Sequence, residues 1–154
     1  MLTIGAPLPP RHQHATAQLC HIVDEQVPRG VEAIFRTAVG LGGTPPTVRV
    51  ADLVVVRASA ATADTFRLAP EDVLLVVEVL CDGTRRIDQV LKFAEYKAAG
   101  IPQYWIVDPG EVVTLSAFAL VNGSYQLTGE HTGMATLDVA GHPVTIDLPM
   151  LTRR

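Results

Sequence analysis

The run from Val73 to Leu80 constrains the fold more than any other stretch of the chain. It reads Val-Leu-Leu-Val-Val-Glu-Val-Leu, nearly all β-branched or leucine. Such a run suits a strand buried on both faces inside a sheet. Asp82-Gly83 ends it, and Asp82 or Thr84 can cap a following helix. That helix is predicted from about Arg85 to Ala99, with Ile87, Leu91, Ala94 and Ala98 as its buried stripe. Gly100 and Pro102 stop it, and Gln103 to Val107 reads as a second strand. Strand, helix and strand in succession predict a right-handed crossover between parallel strands.

The flanking segments fill in an α/β (α+β) architecture. Pro7, Pro9 and Pro10 make an extended lead-in, and a helix is predicted from about His12 to Gln26. Leu19, Ile22, Val23 and Val27 form its apolar face, and Pro28 to Gly30 stop it. Val31 to Val39 reads as a half-exposed strand, Leu41 to Pro46 as a turn and Thr47 to Arg57 as a strand. Ala58 to Pro70 reads as a loop. Beyond Pro109 the residues alternate in Val112 to Val121 and in Tyr125 to Glu130. Asn122-Gly123 between them signals a hairpin, and Val144 to Leu148 reads as a last short strand. The expectation is a mixed central sheet flanked by helices with a C-terminal β-hairpin, in one domain over residues 1–154.

Composition narrows the function classes. A net charge of -4 over 154 residues argues against a strongly basic nucleic-acid coat and against an acidic disordered chain. Cys20 and Cys81 form no CxxC or Cys/His zinc pattern and are expected to be reduced, buried thiols in a cytoplasmic protein. The first residues carry no charged start, so no signal peptide is expected. The longest apolar run is too short to span a membrane.

Glu78 interrupts the most apolar run in the chain. An ionised carboxylate there is costly unless it is paired, hydrogen-bonded or bound to a metal. A shortened strand or a structural Lys or Arg partner would also account for it. Asp52 interrupts the Thr47 strand in the same manner. If the two strands pair, both carboxylates can face one space, where their charges conflict. A hard divalent cation such as Mg²⁺ relieves that conflict and works with one or two carboxylates plus water. The arrangement suggests metal-assisted attack on a phosphodiester.

Lys92 is a candidate to orient water or to stabilise the phosphate, though by spacing alone an i,i+4 pair with Asp88 on a solvated face is favoured. Arg85 and Arg86, at the start of the same helix, are candidate phosphate contacts or simply solvated side chains. His12, His14 and His21 fall on or near the first helix without a third ligand, so no zinc site is expected. Tyr96, Tyr104 and Trp105 are expected to be core residues, and no Ser/His/Asp signature, P-loop or GxGxxG occurs.

One run of residues resembles a known family. It comprises Val76-Val77-Glu78-Val79-Leu80-Cys81, then Thr84, Asp88, Lys92, Tyr96 and Gly100, then Tyr104-Trp105-Ile106-Val107-Asp108-Pro109. These residues resemble the Uma-type family of restriction-endonuclease-like proteins, within the PD-(D/E)XK nuclease superfamily. Ala51-Asp52 resembles the family's "PD" strand, Pro9 to His14 its entry to the first helix, and Ile146-Asp147-Leu148 its C-terminal strand. The resemblance implies a restriction-endonuclease-like fold and Mg²⁺- or Mn²⁺-dependent cleavage of DNA. It also implies that Asp52, Glu78 and the backbone carbonyl of Val79 hold the metal.

The chain departs from the family pattern at several points. Ala51 replaces the proline, Cys81 replaces a serine, and Leu80 stands where the ExK lysine belongs. Members of the superfamily move that lysine onto the next helix, and Lys92 fits such a move. A segment with a further Glu before the proline-rich entry has no counterpart here. The expected function is therefore a metal-dependent endodeoxyribonuclease with Asp52, Glu78 and Lys92 as catalytic residues. The alternative is a degenerate nuclease-fold protein that binds nucleic acid or a protein partner. Few basic residues cluster near the site, so a homodimer that doubles the patch is expected for DNA binding.

Overall fold

The computed structural model describes residues 8–62, 64, 66–81 and 86–153, with only the backbone at 86–88. A first helix α1 (Pro10–Gln26) is followed by strands β1 (Val31–Gly42) and β2 (Thr47–Arg57) and a single helical turn α2 (Ala58–Ala61). Next come β3 (Val73–Val79), helix α3 (Arg86–Ala98) and strand β4 (Gln103–Pro109). Strands β5 (Val113–Val121), β6 (Ser124–His131), β7 (Met134–Val139) and β8 (His142–Asp147) follow, and then a 3-10 turn at Leu148–Leu151. The main sheet has six strands in the order β1-β2-β3-β4-β5-β6. Among the strands of the described residues only β3 and β4 pair in parallel, across α3, as the strand-helix-strand pattern requires.

Asn122-Gly123 makes the predicted hairpin, with both residues at positive φ. That hairpin extends the main sheet, because β5 pairs with β4 from Gln103↔Ala119 to Pro109↔Val113. A second hairpin, β7-β8, forms a separate two-stranded sheet. Its first strand escaped the sequence reading because Met134–Val139 buries only alternate residues, Ala135, Leu137 and Val139. Such short half-buried alternation is a weak signal.

Two apolar layers sandwich the main sheet. On one side Ala15, Leu19 and Val23 of α1 and the inner faces of β7 and β8 pack on Leu53, Val55, Leu75, Val77, Trp105 and Val107. On the other, Tyr96 and Phe93 of α3 pack on Val54, Val56, Val76 and Tyr104. β3 is buried on both faces, as its composition predicts, and only Leu74 is half-buried.

The stripe expected on α3 is wrong at three of its four positions, and the fourth, the Ile87 side chain, lies outside the described residues. Leu91, Ala94 and Ala98 are exposed, and the inward positions are Phe93 and Tyr96. The helix turns its aromatic residues inward because they complete a ring cluster. Phe93 lies 5.8 Å from Tyr104, 5.2 Å from Phe118 and 5.2 Å from Tyr125, each edge to face. Aromatic rings bury more area than alanines and gain from this geometry, so they win the inward positions. The expected burial of both thiols also needs amending, since Cys20 is buried but Cys81 only half-buried.

Candidate metal-dependent nuclease site

β2 and β3 run antiparallel, with Leu53 opposite Val77 and Val54 opposite Val76. Continuing that register by one residue sets Asp52 beside Glu78 at the strand ends. The alternation of β2 breaks at Asp52. Arg49 and Ala51 face the α3 layer, yet Leu53 and Val55 face the α1 layer and Val54 the α3 layer. Opposite this break, between Phe35↔Leu53 and Thr37↔Ala51, lies Arg36 at φ 49. A bulky side chain in the left-handed region costs about 1–3 kcal/mol and signals a locally forced backbone. The irregularity lets the Asp52 carboxylate lie between the two layers rather than wholly within one.

Each layer contributes a partner. Asp52 Oδ2 accepts a hydrogen bond from the Val79 backbone N–H at 2.8 Å. The same oxygen lies 3.2 Å from His12 Nε2 on α1. Glu78 Oε1 accepts the Tyr96 hydroxyl at 3.0 Å, and Glu78 Oε2 lies 3.6 Å from Lys92 Nζ. Both partners of Glu78 come from α3, four residues apart and so on one face. Lys92 therefore points at Glu78, and the Asp88 side chain, the alternative partner, lies outside the described residues. Arg85 lies outside them too, as does the Arg86 side chain, so their expected phosphate contacts have no structural counterpart here.

The electrostatics divide the pair. Burial pushes the Glu78 carboxyl up, the Asp52 charge pushes it further, and Lys92 and Tyr96 offset only part, leaving it raised to about 8. Burial also pushes Asp52 up, but the His12 contact, the Val79 N–H and Glu78 outweigh it and hold it below the ordinary value. Two carboxylates thus share one space and cannot both ionise cheaply. Glu78 is only 5% exposed, so the conflict is not relieved by solvent.

A divalent cation suits this donor set. Two carboxylate groups in conflict are what a hard cation neutralises, with water and phosphate oxygens completing its shell. Among the described residues no group of three His, Cys, Asp or Glu side chains is arranged to hold a metal. The donor set thus fits a cation that keeps several waters better than one caged by protein. Asp52 and Glu78 are the residues that would hold it.

His12 is the site residue whose place the sequence reading missed. It is 3% exposed, and its Nδ1 is buried without a hydrogen-bond partner among the described residues. The signal was present in the proline-then-histidine entry to α1, but helical spacing alone did not separate His12 from its neighbours. His14 Nε2 lies 3.3 Å from the Arg153 carbonyl, and the exposed His21 pairs with Glu25 one turn on. Tyr96 and Tyr104 are buried, as is Trp105.

Comparison with known proteins bears on the fold and the family. The structure is similar to the crystal structure of a putative nuclease belonging to DUF820 from Anabaena variabilis. The TM-score is 0.70 at 17% identity, over 97% of this chain and 84% of that one. At that identity the likeness establishes the fold. The search of curated proteins finds no match. No helix among the described residues is long and apolar enough to cross a membrane. The model of the family described as Uma2, putative restriction endonuclease, matches residues 2–150, so the chain belongs to that family.

Proposed function

We propose that this protein is a divalent-metal-dependent endonuclease that hydrolyses DNA phosphodiester bonds at Asp52 and Glu78. The observation that carries the reading is a pair of carboxylates from adjacent strands, Glu78 buried and Asp52 half-buried, with Lys92 Nζ 3.6 Å from Glu78. Mg²⁺ or Mn²⁺, when bound, supplies a Lewis acid for the phosphate and lowers the pKa of water. Asp52 and Glu78 would hold that cation, and the Val79 carbonyl would be the further ligand that the family implies. Lys92 is a half-buried cation on α3, paired with Glu78 and proposed to orient the attacking water or to balance charge on the phosphate. It takes the place of the motif lysine, because Leu80 has no proton or charge to offer.

DNA is the proposed substrate. Arg85 and Arg86 would contact its phosphates next to the site, and Lys97 lies farther along the same helix. Few phosphate contacts mean weak binding by one copy, so a homodimer is part of the proposal. Two free thiols suit a reducing compartment such as the cytoplasm.

A plasmid-nicking assay tests the reading. Wild type should nick supercoiled DNA with Mg²⁺ or Mn²⁺ and lose that activity with EDTA. The double variant Asp52→Ala, Glu78→Ala should be inactive. Equal nicking by both proteins would refute the site. Metal binding without nicking would favour the degenerate, binding-only alternative.

A further inference from the structure

We infer that His12 is a positioning residue for Asp52, holding Oδ2 so that Oδ1 is the oxygen offered to the cation. The inference rests on the metal-site reading above. The geometry is that of a support for a metal-binding carboxylate. Asp52 Oδ2 already accepts the Val79 N–H at 2.8 Å, and His12 Nε2 approaches the same oxygen at 3.2 Å. Two donors on one oxygen fix both the position and the rotation of a carboxylate. In the neutral ring Nε2 donates only in the tautomer that carries its proton there, which leaves Nδ1 as an acceptor. Nδ1 is the buried nitrogen that has no partner among the described residues. A buried nitrogen without a partner is costly, so among the described residues the ring forgoes one bond and aims the other nitrogen at Asp52.

Local structure makes His12 a stiff support. Pro10 opens α1, where its fixed φ suits the first helical position. The Gln13 N–H donates to the Pro9 carbonyl at 3.1 Å and the Thr16 hydroxyl to the His12 carbonyl at 2.8 Å. The backbone of His12 is thereby held, and its ring is 3% exposed. Only two side-chain torsions remain, and burial restricts both. The anchor also ties the site to the α1 layer, whereas Lys92 and Tyr96 tie it to α3. The two layers thus meet at a single carboxylate pair.

The test measures Mn²⁺ affinity by calorimetry at one fixed pH on the full chain, for wild type, His12→Phe and His12→Gln. Phe keeps a ring without a donor, and Gln restores an amide N–H at the reach of Nε2. Support groups behind metal ligands are typically worth 10–100-fold in affinity. His12→Phe should therefore bind Mn²⁺ about 10–100-fold more weakly, with His12→Gln recovering most of the loss. Wild-type affinity in His12→Phe would overturn the inference and leave the metal site standing. Equal losses in both variants would overturn it too, since a donor would then not be what matters. No Mn²⁺ binding by wild type would remove the metal site and the inference with it. If His12→Phe does not fold, nitrogen-edited NMR of the wild-type imidazole decides. A proton on Nε2 supports the inference, and a proton on Nδ1 alone overturns it.

Discussion

Replacing Glu78 by glutamine should stabilise the metal-free protein while removing its metal. Glutamine keeps the shape and can accept the Tyr96 hydroxyl, but it carries no ionisable proton. Between pH 4.5 and about 8 folded Glu78 holds a proton that the unfolded chain has lost. The folded state then binds more protons than the unfolded one, so stability falls as pH rises across that window. At pH 7, holding the proton against an unfolded-state value of 4.5 costs about 3 kcal/mol, at about 1.4 kcal/mol per pH unit. Asp52, held low, contributes in the opposite sense and below the window, losing its stability as pH falls under its ordinary value of 3.8. The assay is urea unfolding of wild type and Glu78→Gln in EDTA at several pH values. The variant should gain nothing near pH 4.5, about 3 kcal/mol at pH 7, and somewhat more above pH 8, where the gain levels off. Mn²⁺ at a hundred times its Kd should add about 2.7 kcal/mol to wild type and nothing to the variant. A stability difference that is flat with pH, or a variant weaker than wild type at pH 8, would refute the charge-conflict argument.

Three other perturbations probe the surroundings of the pair. Tyr96→Phe leaves Glu78 Oε1 without its donor and should cost about 1–3 kcal/mol in urea unfolding, whereas an unchanged midpoint would contradict the contact. Lys92→Ala should keep Mn²⁺ binding by calorimetry and lose plasmid nicking, and retained nicking would remove Lys92 from the reaction. Arg85→Ala with Arg86→Ala should flatten the salt dependence of DNA binding in a filter or anisotropy assay, and an unchanged slope would exclude these contacts.

The core of the site was legible because charges stand out against apolar strands. Glu78 and Asp52 interrupt runs of valine and leucine, and the register of β2 on β3 brings the two strand ends together as the sequence suggested. β2 itself is legible to the residue, from Thr47 to Arg57. The face of α3 was not, because the counting favoured Leu91 and two alanines. Phe93 and Tyr96 win that face through contacts on β4, β5 and β6, which are distant in sequence and leave no periodic trace. His12 escaped for a related reason. Its partner Asp52 is forty residues away in sequence, and the break in β2 alternation that brings them together is visible only in the fold.

The central claim is that Asp52 and Glu78 share one divalent cation. Anomalous diffraction from a crystal soaked in Mn²⁺ tests it most directly. A single peak is expected within about 2.5 Å of an oxygen from each carboxylate, absent in Glu78→Gln. A crystal with no peak between them, or with the same peak in wild type and variant, would contradict it.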